Sequence, residues 1–155
     1  MSETNQKEKN YEYFDVTADI GFYAYGNTLD KAYENAGKAM FNVVTDIDNV
    51  KNKESREFEI VSEDLVSLLY DYLDELLFLQ DTEFLFFSQF DVKIGKIDDD
   101  SFDNYKLNCK AYGEEINWDI HAHRSEVKAV TFHQMDVSKK EDGGFKLRAI
   151  LDLWK

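Results

Sequence analysis

The chain has 155 residues, and its 43% hydrophobic content, with 12 Phe and 9 Tyr, is sufficient for the core of one domain and argues against disorder of the chain as a whole. Its 32 acidic and 18 basic residues give a net charge of −14. This charge disfavours direct, high-affinity binding to nucleic acid, because such binding draws on the counterions that Lys and Arg release from phosphates. An acidic surface suits a basic protein partner or divalent cations better, or it serves solubility alone.

The termini and the cysteine content narrow the class of protein further. Residues 1–10 are polar and lack the apolar segment of a signal peptide, so we predict a disordered tail ahead of a single domain at residues 11–155. No apolar run approaches the ~20 residues that span a bilayer, and we expect a soluble cytoplasmic protein. The single cysteine, Cys109, excludes an internal disulfide, and its position on the apolar face of a predicted strand indicates a buried, inert thiol.

The first part of the domain predicts two extended segments and a helix. Residues 11–25 form two short strands in this prediction, interrupted at residues 15–19, where Asp and Thr can bond their own backbone. Thr28 is the predicted N-cap of an amphipathic helix over residues 29–45. Its apolar side chains recur at helical spacing, with charged residues on the other face.

A strand and the strongest helical pattern of the sequence follow. Residues 56–61 alternate as a strand, and Ser62 is the predicted cap of a second helix, with Glu63 and Asp64 in its first turn, where the helix dipole favours negative charge. The leucine-rich stripe from Leu65 to Leu77 predicts a core helix.

The second half of the chain alternates as strands. Phe90–Ile94 and Tyr105–Ala111 form one pair, and Val127–Val137 and Phe145–Leu153 form a second pair around the hairpin signal at Glu141–Gly144. Two helices followed by antiparallel hairpins predict an α+β fold, in which two amphipathic helices pack on one face of a largely antiparallel sheet.

The usual enzyme signatures are missing from the sequence. It has no phosphate-binding glycine loop, no G-x-S-x-G turn and no H-E-x-x-H helix. His121 and His123 give only a weak metal-binding signal and are expected to be exposed in a loop, whereas His133 is expected to be a core or edge imidazole on its strand. The cluster Asp98–Asp103 lacks the spacing of a calcium-binding loop and is predicted to be a solvated hairpin tip.

Two aspartates stand in apolar surroundings. Asp19 lies between Ala18 and Ile20, and Asp152 shares a strand face with Ile150 and Trp154. Such a carboxylate must be solvated, hydrogen-bonded or paired with a cation, because burying a bare charge is very unfavourable. Both aspartates are either at strand ends open to water or parts of one metal site, and sequence spacing does not show whether they meet.

Five ordered segments resemble the archease family from about residue 11 to the end of the chain. Residues 11–21 are similar to its opening motif, usually written D-H-T-A-D-x-G. The other four segments match its two helices and its last two strands, at residues 28–41, 62–78, 126–133 and 151–153.

The resemblance implies a metal site made of Asp19, Asp152 and the backbone carbonyl of Leu153, with calcium as the expected ion and magnesium or manganese as alternatives. It also implies a function, since archeases help RtcB-type ligases, which join tRNA halves after intron removal. They promote the covalent GMP-histidine intermediate of the ligase and its turnover, and they broaden the nucleotide that it accepts. In this hypothesis the chain is a non-catalytic activator. Lys128 either contacts a phosphate or an acidic group of the ligase, or is an outward-facing strand lysine.

The chain departs from the family pattern at two positions. Val16 replaces the usual histidine of the opening motif, so no role of that histidine carries over, and Phe132 stands where Tyr is common.

Two other functions are alternatives to the activator: a metal-dependent hydrolase that uses Asp19 and Asp152, and a chaperone-like or generic protein-interaction module. The hydrolase lacks a visible base or nucleophile, and one cysteine cannot form a redox switch of the kind that needs clustered cysteines.

Overall fold

A computed structural model of the chain describes residues 10–97 and 104–154. Nearly all of the predicted polar tail (residues 1–9) and the predicted acidic hairpin tip at Asp98–Asp103 lie outside these residues. Two α-helices, seven strands and one short 3-10 helix form in the described part of the chain. In chain order these are β1 (Tyr11–Val16), β2 (Asp19–Gly26), α1 (Leu29–Val44), the 3-10 helix Ile47–Asn49, β3 (Glu54–Ser62), α2 (Leu65–Glu83), β4 (Leu85–Lys96), β5 (Tyr105–Glu115), β6 (Val127–Lys139) and β7 (Phe145–Leu153).

The strands form two antiparallel sheets with the helices between them. One sheet has the order β1-β2-β7-β6 and the other β3-β5-β4. Helix α1 packs on β2 and β4, which belong to different sheets, and α2 packs on β6 as well as on β3 and β5. The predicted α+β class with antiparallel strands is therefore confirmed. The helices, however, bury apolar surface against two sheets, where the sequence predicted one.

Helix α1 begins where the sequence predicts and also protects a sheet edge. The Thr28 hydroxyl oxygen accepts a hydrogen bond from the Lys31 N–H, which satisfies one of the free N–H groups of the first turn. On the outer edge of β4, the N–H groups of Val92 and Ile94 donate to the carboxylates of Glu34 and Asp30. These two acidic side chains of α1 cover N–H groups that would otherwise be open to pairing with another chain.

The N-terminus of α2 corrects a prediction. Asp64, not Ser62, is the N-cap, and its carboxylate accepts from the Ser67 N–H. Ser62 is still part of β3, where it pairs with Tyr105 of β5, and its hydroxyl donates to Asp71. The ladder between β3 and β5 keeps the backbone of Ser62 extended, and the helix starts only after the chain has left that ladder.

The strand break near the N-terminus is shorter than predicted. Only Thr17 and Ala18 separate β1 from β2, and Ala18 adopts a left-handed conformation with φ 67°. Both Asp15 and Asp19 therefore belong to strands.

Neither helix of the described residues has the length and apolar character that crossing a membrane requires.

A close backbone approach at Gly113 provides a test of this packing. A Cβ atom at Gly113 would lie 1.8 Å from the carbonyl oxygen of Phe86, next to the irregularity in the β4–β5 ladder. We expect Gly113→Ala to lower the free energy of unfolding by about 1–3 kcal/mol, because backbone atoms must move to make room. Gly95→Ala, in the same sheet with nothing within 4 Å of its Cβ position, should stay within about 0.5 kcal/mol of the wild type. Urea unfolding of both variants measures the difference, and equal stabilities would contradict this packing.

Candidate functional site

The pairing of β2 with β7 brings the two unusual aspartates together. These strands come from opposite ends of the chain and run antiparallel, and Asp19 lies directly opposite Asp152 in their register. Directly opposite residues of an antiparallel pair point to the same face, with their Cβ atoms only about 4.5–5.5 Å apart. The two carboxylates therefore lie next to each other on the same face of the sheet, and both residues are partly buried. The structure thus brings together two residues whose proximity the sequence left open.

Apolar residues flank the two aspartates on the neighbouring strands. Val16 of β1 lies opposite Asp19, and Ala129 of β6 lies opposite Asp152. The row across the four strands is thus Val16, Asp19, Asp152 and Ala129. Because Val16 occupies the position of the family's usual histidine, that strand offers no imidazole to the carboxylate beside it.

The electrostatic environment of the pair is unbalanced. One carboxylate oxygen of Asp19, Oδ1, is buried and has no hydrogen-bond partner among the described residues. Within the same residues no Lys, Arg or His forms an ion pair with Asp19 or Asp152. Like charges directly opposite each other on two strands destabilise a sheet, and a buried carboxylate without a partner is unfavourable. A hard divalent cation offsets both effects, so these residues fit such an ion.

The chain would supply only part of a coordination shell. Leu153 follows Asp152 as the last residue of β7, so its carbonyl lies at the end of the strand that carries Asp152. No group of three or more His, Cys, Asp or Glu side chains in the described part of the chain is arranged to hold a metal. Calcium takes 6–8 oxygen ligands, and a site with two carboxylates and one carbonyl would therefore leave positions for water or for a partner's groups.

Lys128 lies on the surface at the start of β6. The β6–β7 register shifts between Val127 and Ala129, so Lys128 has no direct partner on β7. Its ammonium nitrogen lies 4.9 Å from the centroid of the exposed Trp154 ring, within the range of a cation–π contact. The side chain is outward-facing, and no carboxylate of the described residues forms an ion pair with it. This arrangement leaves the ammonium group accessible to a phosphate or an acidic group.

The three histidines have different environments. The expectation of an exposed loop residue is wrong for His121, which is only 3% exposed. His123 is exposed as expected, and its ring lies against that of Trp118. His133 is exposed on β6, an edge strand of its sheet, which agrees with the edge alternative.

Phe132, the second position at which the chain departs from the family pattern, stacks on Tyr70 with 4.1 Å between the ring centroids.

His121 is buried because it bonds to the carboxylate of Glu114, which no motif in the sequence marks. Its Nδ1 accepts from the Asn117 N–H, and its Nε2 lies 2.9 Å from Oε2 of Glu114. Burial pushes the pKa of Glu114 up, but the Lys51 N–H, the His121 ring and the nearby Lys53 outweigh it and hold this pKa below its usual value. The sequence shows two adjacent glutamates at the end of a strand, and no local pattern in it indicates that Glu114 is buried and Glu115 exposed.

Cys109 agrees with its prediction. It lies on β5, is buried, and forms no disulfide. Burial raises the pKa of its thiol to about 12, with Asp91 and Glu34 adding to the shift, so the thiol stays protonated at neutral pH. Because the thiolate is the reactive form, Cys109 is a poor nucleophile.

Comparison with known proteins finds a matching family and a matching fold. The model of the Archease protein family (MTH1598/TM1083) matches residues 11–153. Proteins named archease from Methanothermobacter thermautotrophicus and Pyrococcus abyssi are 56% and 42% identical over 145 residues, which cover 94% of this chain and 99% of each relative.

Two solved structures share the fold. The solution structure of Methanobacterium thermoautotrophicum protein 1598 has a TM-score of 0.81 at 56% identity and covers 93% of this chain and 99% of its own. The crystal structure of a Thermotoga maritima archease, described as a possible chaperone, has a TM-score of 0.57 and covers 90% and 94%. At 16% identity the latter likeness concerns the fold alone.

The Glu114–His121 pair predicts how stability depends on pH. The pKa of Glu114 is lower in the folded chain than its ordinary value of 4.5. Its ionised form therefore adds stability that is complete above that value and is lost as the pH falls through the folded pKa. Glu114→Gln should lower the thermal unfolding midpoint at pH 7, and its difference from the wild type should shrink below pH 4.5. The exposed neighbour provides the control, since Glu115→Gln should show no such pH dependence, and a constant difference for Glu114→Gln would contradict the assignment.

Proposed function

Because the chain belongs to the archease family, we propose that it is a non-catalytic activator of an RtcB-type RNA ligase in tRNA splicing. In this role it promotes guanylylation and turnover of the ligase and broadens the nucleotide that the ligase accepts. The observation that carries the proposal is the cross-strand pair of Asp19 and Asp152. Two carboxylates held opposite each other form a local site of negative charge, which a protein with a purely structural role does not need.

The pair supports the binding of a divalent metal, calcium in the first place. Asp19 and Asp152 supply two hard carboxylate donors, Oδ1 of Asp19 has no other partner among the described residues, and the Leu153 carbonyl adds a third donor. Bound there, the cation would supply positive charge at the end of the sheet. The few donors from this chain suit a site that is completed by water or by oxygen atoms of a ligase–nucleotide complex.

Two of the reactive groups are placed as expected for a helper rather than an enzyme. Cys109 is buried and protonated, and His121 is buried in a bond with Glu114. Such an activator needs no nucleophile of its own, because it lowers the barrier for guanylylation through contacts that are stronger in the activated ligase than in the resting one. Lys128 lies near this end of the sheet and is our candidate for contacting a phosphate or an acidic group of the ligase.

A chaperone-like interaction module is the second candidate, and one observation favours it. Several large apolar side chains are exposed, among them Phe84, Trp118 and Trp154, and exposed apolar patches mark sites of protein interaction. Suppression of client aggregation without any effect on a ligase would support this alternative. The aspartate pair has no role in it, which is why we prefer the ligase activator.

Metal binding can be measured independently of any ligase. Calcium should raise the thermal unfolding midpoint of the wild type, because a ligand at 100 times its Kd adds about 2.7 kcal/mol to the free energy of unfolding. Asp19→Asn should abolish this shift. Without metal the same variant should be more stable than the wild type by about 0.2–1 kcal/mol, because one of two like charges is removed. Asp15→Asn, an exposed neighbour on β1, should keep the wild-type response, and a calcium shift that survives Asp19→Asn would refute the site.

Ligase activation is tested with substoichiometric protein. Each wild-type molecule should promote guanylylation of several molecules of the cognate ligase, whereas Asp19→Asn and Asp152→Asn should remove this stimulation while the fold persists. Asp15→Asn should stimulate like the wild type. No stimulation by the wild type would refute the proposed function, whereas unchanged stimulation by both site variants would refute only the role of the metal site.

A further inference from the structure

An apolar groove that contains no residue of the proposed metal site lies near the end of β7. It is formed by the end of α2, the loop after β5 and the residue that follows β7. Its most exposed apolar members are Phe84, Trp118 and Trp154, which are 67%, 55% and 59% exposed. Ile116 and Val127 add to its apolar lining. Large aromatic side chains around a groove are the anchors that dominate the energy of protein–protein interfaces.

Phe84 has a backbone conformation that is unfavourable for a residue with a large side chain. Phe84 ends α2 in the left-handed region with φ 55° and ψ 48°, which is a position that glycine usually occupies. Its N–H donates to the carbonyl of Gln80, and its carbonyl accepts from the N–H of Ile116. A bulky residue kept in an unfavourable conformation with its ring exposed contributes little to the core, and such strain is typical of functional positions.

The charges of the groove indicate the kind of partner. Its lining includes the carboxylates of Asp81 and Glu126 but no Lys or Arg. Partial burial raises the pKa of Asp81, a hydrogen bond from Gln80 only partly offsets this, and no cation of the described residues forms an ion pair with it. A partner that covered Asp81 with apolar groups alone would bury an unpaired charge. The complementary surface therefore combines apolar side chains with a Lys or Arg.

The groove is linked to the strand that carries Asp152. Trp154, which lines the groove, lies two residues after Asp152, and its N–H donates to the carbonyl of Glu126. The ammonium group of Lys128 lies over the same indole ring. A protein that covers Trp154 would therefore also contact Lys128 and lie two residues from Asp152 along the chain.

We propose that this groove docks the ligase, by receiving an apolar segment of the ligase that carries a basic residue opposite Asp81. The inference rests on the proposed function and names the surface through which it acts. It assigns the aromatic side chains to affinity and the aspartate pair to activation, so that the two can be separated by mutation.

Phe84→Gly is the decisive variant, because a structural role and a docking role predict opposite results. Glycine relieves the left-handed strain, so the thermal unfolding midpoint should equal or exceed that of the wild type. Loss of the exposed ring should weaken binding of the purified cognate ligase at least about 10-fold in Kd, as for other buried aromatic anchors. Phe78→Ala is the matched control, since Phe78 is 57% exposed on the same helix but does not line the groove.

Charge variants test the basic partner. Asp81→Asn should weaken ligase binding roughly threefold at low salt and reduce the dependence of Kd on NaCl concentration, because one ion pair is lost. Asp74→Asn, an exposed site on α2 that does not line the groove, should leave both unchanged. Kd is measured by titration calorimetry with the full chain.

The outcomes separate this inference from the proposed function. Wild-type stimulation of the ligase with a Kd unaffected by Phe84→Gly and Asp81→Asn would overturn the docking surface and leave the activator function intact. A wild type that neither binds nor stimulates the ligase would overturn both. Sedimentation of the protein alone provides a third outcome: a wild-type dimer that Phe84→Gly converts to a monomer would assign the groove to a second copy of this chain and overturn its assignment to the ligase.

Discussion

The antiparallel pairing of β2 with β7 holds the four-stranded sheet together. It joins the two ends of the domain through a ladder from Asp19–Asp152 to Gly26–Phe145. Because β1 adds to one side of this pair and β6 to the other, the four-stranded sheet exists only when the C-terminus has returned to the N-terminus. Helix α1 then packs on β2 and β7, so the same ladder also supports the core.

This register also creates the electrostatic conflict at the candidate site. A slip of one residue would turn Asp19 and Asp152 to opposite faces of the sheet, since side chains alternate along a strand. The buried apolar residues on the other face, such as Phe22 and Leu151, do not allow such a slip. The core therefore holds two carboxylates opposite each other although they repel. A cation that neutralises the pair would therefore stabilise the fold.

The groove and the aspartate pair lie close to each other along the chain, at the end of β7 and at the residue that follows it. The carboxylate pair lies at one end of the four-stranded sheet, and the aromatic groove starts two residues further along the chain at Trp154. Lys128 connects the two regions through its contact with that ring. In the proposed role, binding energy from the groove would position the charged groups on the ligase without being part of the chemistry itself.

The local features can be predicted from the sequence, since helix and strand periodicity, the Thr28 cap and the apolar strand face of Cys109 depend on near neighbours. The sequence also marks Asp19 and Asp152 as unusual, because a carboxylate in an apolar strand needs an explanation wherever it occurs. The folded chain adds three facts: Asp19 and Asp152 meet, His121 is buried on Glu114, and Phe84, Trp118 and Trp154 line one groove. These are contacts between distant segments, and they follow from strand order and register, which no local pattern encodes.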